Sequence, residues 1–164
     1  MTVAEDGEIP EKPIGRLFPI GGEIDRIRVS IRVGGDDLEP DQVTRLLGVS
    51  PTFAASKGQR RIVAGRELKQ RTGVWGRDFS GAPDEWTLED AIVELLRQFP
   101  VDLDVWGTLA QKYSLEVFCG LFLRAPNRGF SLRPEILRML SDRHLKLGVD
   151  IYAISNADPS GEEG

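Results

Sequence analysis

Hydrophobic and polar positions alternate strictly from Arg26 to Val33. Ile27, Val29, Ile31 and Val33 fall on one side, and Arg26, Arg28, Ser30 and Arg32 on the other. Period-two patterning of that length predicts a strand with one face on a core and a wetter opposite face. Gly34-Gly35 ends the alternation, and the period then becomes helical. Pro40 suits the first turn of a helix, where its missing N–H costs nothing. Asp36, Asp37, Glu39 and Asp41 set negative charge at the positive end of that helix's dipole. Val43, Leu46 and Leu47 form its buried stripe, and Gly48 closes it.

Beyond Pro51-Thr52 the pattern weakens. Gly58 and Gly65 predict loop, with a short strand around Arg61–Ala64. Thr72-Gly73-Val74-Trp75-Gly76 reads as a strand bearing a buried Trp75, and Gly81, Pro83 and Asp84 then break the chain. From Thr87 to Phe99 the apolar residues Leu88, Ile92, Leu95, Leu96 and Phe99 share one helical face. Thr87 and Asp90 stand at capping-box spacing, and Pro100 stops the helix. Asp102 caps a second helix carrying Trp106, Leu109, Ala110 and Tyr113.

The next strand sets Leu115, Val117, Cys119, Leu121 and Leu123 against Glu116, Phe118, Gly120 and Phe122. Both rows are largely apolar, which predicts a central strand covered on both sides. A helix after Pro134 buries Ile136, Leu137 and Leu140. In the last strand Leu145, Leu147, Val149 and Ile151 alternate with Lys146, Asp150 and Tyr152.

The motif Leu38-x-Pro40-Asp41-x-Val43 returns as Leu132-x-Pro134-Glu135-x-Leu137, each time after a strand and a glycine-containing turn. Two βαβ units with a helical pair inserted between them give an α+β fold. The expected form is a ferredoxin-like two-layer sandwich with a mostly antiparallel sheet of four or five strands. We expect a flexible arm over residues 1–23, a single α+β domain over 24–154 and a disordered tail over 155–164. Leu17, Phe18 and Ile20 are the residues suited to pin the arm.

Composition narrows the classes. Among 164 residues there is no apolar run near the roughly 20 that a membrane span needs, so no membrane partner is expected. Met1-Thr2-Val3-Ala4-Glu5-Asp6 lacks the basic and apolar blocks of a signal peptide. The lone Cys119 cannot form an internal disulfide, which fits a reducing, cytoplasmic setting. A net charge of −5 argues against general attraction to nucleic acid, yet the charge is uneven. Between Lys57 and Arg77 stand seven basic residues and one acidic residue, Glu67.

That stretch holds the candidate binding residues. Lys57, Gln59, Arg60, Arg61 and Arg66 on glycine-flanked loops suit an anion held by side-chain charge and main-chain N–H groups. Trp75 or Phe53 offers a ring on which a base can stack. The simpler reading is a solvated loop paired with acidic neighbours. Trp86, beside a helix start, is the tryptophan best placed to lie outside the core. Gly34-Gly35-Asp36-Asp37-Leu38 looks like the loop of cyclic-dinucleotide synthases, but it leads into a proline-started helix rather than a second strand. The carboxylates around it lack the spacing of a calcium loop. His144, the only histidine, falls at a helix C-terminus, where a cation meets the negative dipole end. Cys119 sits on the apolar row of a strand, where a thiol is inert.

Taken in order, Arg28-Val29-Ser30-Ile31, Gly35-Asp36-Asp37-Leu38-Glu39-Pro40, Leu46-Leu47-Gly48, Pro51-Thr52, Lys57-Gly58, Gly73-Val74-Trp75, Leu132-x-Pro134-Glu135 and Asp150-Ile151-Tyr152 resemble a family. It is a bacterial family catalogued as domain of unknown function 4279, and the resemblance spans Ile24 to Ile154. It implies a small single-domain cytoplasmic protein and assigns no catalytic residue. The sequence therefore points to a non-catalytic binding or interaction module, immunity-like or regulatory, with no cofactor and no metal. Its expected partner is another protein. The alternative is anion or nucleic-acid binding through Lys57–Arg77, and oligomeric state is left open.

Overall fold

The alternation read from Arg26 onward becomes the middle of a sheet. In the computed structural model, which describes residues 21–79 and 86–154, β1 (Arg26–Gly35) pairs antiparallel with a strand on either side. Its odd row, Val29, Ile31 and Val33, is buried. After Gly35 the chain enters α1 (Pro40–Leu47) with Pro40 in the first turn, and Gly48 ends that helix at φ 68°. Val43 and Leu47 are buried, while Leu46 is only partly covered.

The segment expected to be loop carries more structure. β2 (Phe53–Ala55) is a short edge strand, and β3 (Arg60–Val63) and β4 (Arg66–Lys69) form a separate hairpin. β5 (Gly73–Phe79) follows and holds Trp75 fully buried. The inserted helical pair is α2 (Leu88–Leu96) and α3 (Leu103–Ala110). Thr87 and Asp90 close the capping box reciprocally, and Asp102 accepts from the Asp104 N–H at 2.9 Å. Then come β6 (Ser114–Leu123), α4 (Pro134–Asp142) and β7 (Lys146–Ala153).

The fold is α+β. Its five-stranded sheet runs β2-β5-β1-β6-β7, antiparallel except for the β6–β7 pair, which is parallel. Buried residues of all the helices join one core with Val29, Ile31, Val33, Trp75, Leu115, Val117, Cys119 and Leu121. Each large side chain so buried contributes about 1.5–3 kcal/mol relative to exposure. The helices thus lie on one face of the sheet.

Two expectations about the core are corrected. Leu137 is 50% exposed, because α4 lies over the outer strands and its buried stripe is only Ile136 and Leu140. The second row of β6 is not covered by another layer. Glu116, Phe118 and Phe122 are half-buried, shielded by neighbouring side chains rather than by a helix. Of the expected arm, residues 21–23 are described, and Gly22 bonds to Asn127 and Gly129. The rest of the arm with Leu17, Phe18 and Ile20, the break at Gly81, Pro83 and Asp84, and the tail lie outside the described residues.

Candidate functional site

The basic segment owes its shape to a two-residue turn. Ala64 and Gly65 both take positive φ, 51° and 74°, the geometry that matches the twist of a hairpin. Register then sorts its charges. Arg60 lies opposite Lys69 on one face with Ile62 and Glu67, and Arg61 and Arg66 share the other face with Leu68 and Val63. Arg60 reaches Glu67 at 3.2 Å. Lys57 donates to Asp36 Oδ2 at 2.6 Å, and Thr72 donates to Oδ1 at 2.9 Å. These bonds hold the Asp36 carboxyl below its usual range and lift the Lys57 ammonium above its own. Gln59 accepts the Ser56 N–H at 3.1 Å and closes the turn before β3.

Trp75 is not with them. Its indole is fully buried on the helix side of the sheet, edge-on to Phe99, and its Nε1–H donates to Thr44 Oγ1 at 2.9 Å. Phe53, by contrast, lies opposite Gly76 on the other side. A side chain on Gly76 would run into the Phe53 ring, so this glycine provides its seat. Trp86 stacks on Phe79 with ring centres 5.5 Å apart and is half-buried.

What gathers on the open face of the sheet is a set of arginines and rings. The antiparallel register sets the polar row of β1 beside the second row of β6, Ser30 against Phe118 and Arg26 against Phe122. The Arg32 guanidinium lies 3.5 Å from the centre of the Phe118 ring, and its Nε donates to the buried Ser30 hydroxyl at 3.2 Å. Arg26 lies 4.0 Å from the centre of Phe122 and Arg28 5.7 Å from it. Phe122 stacks on Tyr152 at 4.8 Å. Tyr152 donates to Asp150 at 3.0 Å, a bond that raises its hydroxyl above the ordinary value. Among the described residues no carboxylate forms a salt bridge with Arg26, Arg28 or Arg32.

Beside these rings the hairpin overhangs a shallow hollow of about 370 Å³, lined by Arg32, Phe53, Arg61, Gln70, Glu116 and Lys146 among others. Of the residues singled out in the sequence, the structure brings Arg61 to this face. It ties Lys57, Gln59 and Arg60 into local contacts, and it leaves Arg66 exposed on the Arg61 side of the hairpin. Sequence reasoning missed Arg26, Arg28, Arg32, Phe118, Phe122 and Tyr152. Their signal was the alternation itself, which puts each on the row opposite the core.

Groups with reactive chemistry are held elsewhere. Burial pushes the Cys119 thiol up to about 12, with the Glu116 charge adding to it, so the thiolate is absent at neutral pH. His144 adopts φ 56° just past α4, its N–H donating to Ser141 at 2.9 Å as the chain leaves the helix. Among the described residues no three His, Cys, Asp or Glu side chains converge as a metal site would require. None of the helices described is long and apolar enough to cross a membrane.

A family model described as Domain of unknown function (DUF4279) matches residues 25–154, and the chain belongs to that family. No curated protein and no solved structure matches it.

Proposed function

We propose that this DUF4279 chain is a non-catalytic binding module whose open sheet face takes single-stranded nucleic acid. One observation carries the reading: Arg26, Arg28 and Arg32 lie against Phe118 and Phe122 with no carboxylate partner among the described residues. A guanidinium lying on a ring keeps its charge for phosphate and offers its own plane to a base. Arg61 and Arg66 extend the positive surface along the hairpin. The net charge of −5 belongs to the whole chain, whereas attraction at short range follows the local field.

A ferredoxin-like arrangement is supported by the first unit, in which β1 and β2 run parallel with β5 between them. The second unit places β7 directly beside β6. A cytoplasmic setting is supported by the single buried cysteine.

Fluorescence anisotropy with a labelled single-stranded RNA tests the function. Binding should weaken with salt in proportion to the phosphates neutralised, and Arg28→Glu/Arg32→Glu should abolish it. Phe118→Ala/Phe122→Ala, which removes the rings that seat the guanidinium planes, should weaken binding while leaving its salt dependence. Absence of binding at low salt, or binding indifferent to Arg28 and Arg32, overturns the reading. Capture of an acidic peptide in place of RNA would assign the face to a protein partner and overturn it equally.

A further inference from the structure

β7 is the outer strand of the sheet, and among the described residues no strand pairs with its free edge. Ile154 donates its N–H to Leu123 at 2.7 Å. Main-chain groups alternate sides along a strand, so those of Leu147, Val149, Ile151 and Ala153 face outward. The register with β6 is continuous from Lys146 to Ala153, and no proline interrupts it. On the helix side Leu147 and Val149 are each 37% exposed and Ile151 is 64% exposed. An unblunted edge of this length is a template for another strand.

We infer that this edge pairs with β7 of a second copy, antiparallel about a twofold axis at Gly148. Only registers that set odd-numbered residues against odd-numbered ones match the outward N–H and C=O groups. Among these, the axis at Gly148 sets Lys146 against Asp150 of the second copy, and Asp150 against its Lys146. Leu147 then lies against Val149 on the helix side. Moving the axis by one residue sets Lys146 against Tyr152 or Gly148, and the charge pairs are lost. Opposite charges directly across a strand pair stabilise it, and like charges destabilise it. Lys146–Asp150 is thus its own complement, and Ile151–Ala153 extend past the start of the second copy's β7.

The axis stands perpendicular to the sheet, so both open faces look the same way. The two β1 strands then lie about 24 Å apart, five spacings of about 4.8 Å. Association through one strand pair buries little surface, so the dimer is weak and concentration-dependent. The inference does not rest on nucleic-acid binding, and it is tested without ligand.

Sedimentation velocity on the full chain over a range of concentrations should show a reversible monomer–dimer equilibrium. Lys146→Glu or Asp150→Lys alone should raise Kd at least about tenfold, and the double swap should restore it. Lys146 also approaches Glu116 at 3.6 Å, so a thermal melt accompanies each variant to verify folding. Val149→Pro removes an outward donor, leaves the pairing to β6 intact and should yield monomer. A monomer at every concentration would give the edge to another occupant, such as residues 1–20 of the same chain, and overturn the inference. A dimer indifferent to Lys146→Glu and Val149→Pro, or not restored by the double swap, would do the same.

Discussion

Replacing Thr44 by valine should destabilise the protein by leaving a buried donor without its acceptor. Trp75 is fully buried, and its indole N–H has one partner, Thr44 Oγ1, at 2.9 Å. Valine keeps the branched shape of threonine and its fit to the helix but removes the acceptor. The indole donor is then buried without a partner, which costs about 1–3 kcal/mol, and we expect about 2 kcal/mol here. For a chain of this length that corresponds to a fall in Tm of about 4–8 °C. Urea denaturation followed by circular dichroism measures the change, which should appear in the midpoint with the slope unaltered. Thr44→Ser supplies the contrast. It deletes a methyl group but retains the acceptor, so it should lose less than Thr44→Val. Should Thr44→Val match the parent protein, or Thr44→Ser prove worse than Thr44→Val, packing rather than the hydrogen bond would govern the site and the reasoning would fail.

The hairpin turn offers a gain rather than a loss. Ala64 sits at φ 51°, where a non-glycine residue is strained by about 1 kcal/mol. Ala64→Asn creates the Asn-Gly pair that such turns favour and should slow amide exchange within β3 and β4; unchanged exchange would refute it. In α4, Ile136→Ala should cost about 2–5 kcal/mol and Leu137→Ala less than about 1 kcal/mol, since only the first is buried. Equal losses in chemical denaturation would overturn that ranking. Asp36 titrates below its ordinary 3.8, so its stabilising effect is complete above that pH and fades as pH falls through the lowered value. Lys57 is raised above 10.5, so its share is complete below that pH and fades as pH climbs through the raised value. Lys57→Met should return the Asp36 carboxyl toward 3.8 in an NMR titration, and an unmoved carboxyl would remove the pair from the account.

Elements with a strong period and a capping signal were legible at once. β1, α1, the boxed start of α2, the Asp102 cap of α3 and the alternation of β6 all stand where the residues put them. Of the hairpin only one short strand, around Arg61–Ala64, was legible and matches β3; β4 and the pairing were not, because both strands are exposed on both faces and carry no core-facing alternation. Its Ala-Gly turn also lacks the Asn or Asp that usually announces one. β2 is too short to show a period. Leu137 and the second row of β6 were misjudged for a shared reason. An apolar residue is a candidate for burial, and whether a layer exists to bury it depends on where other elements land.

The residues alone located the inward rows of β1 and β6, the buried stripe of α2, and where the helices begin and end. Those follow from backbone geometry and local hydrogen bonding, which act over a few residues. Tertiary structure alone set Arg32 on Phe118 and Arg26 on Phe122, and left β7 at the end of the sheet with no strand on its outer edge among the described residues. Each depends on strand order and register between segments far apart in sequence, and no local pattern encodes a partner.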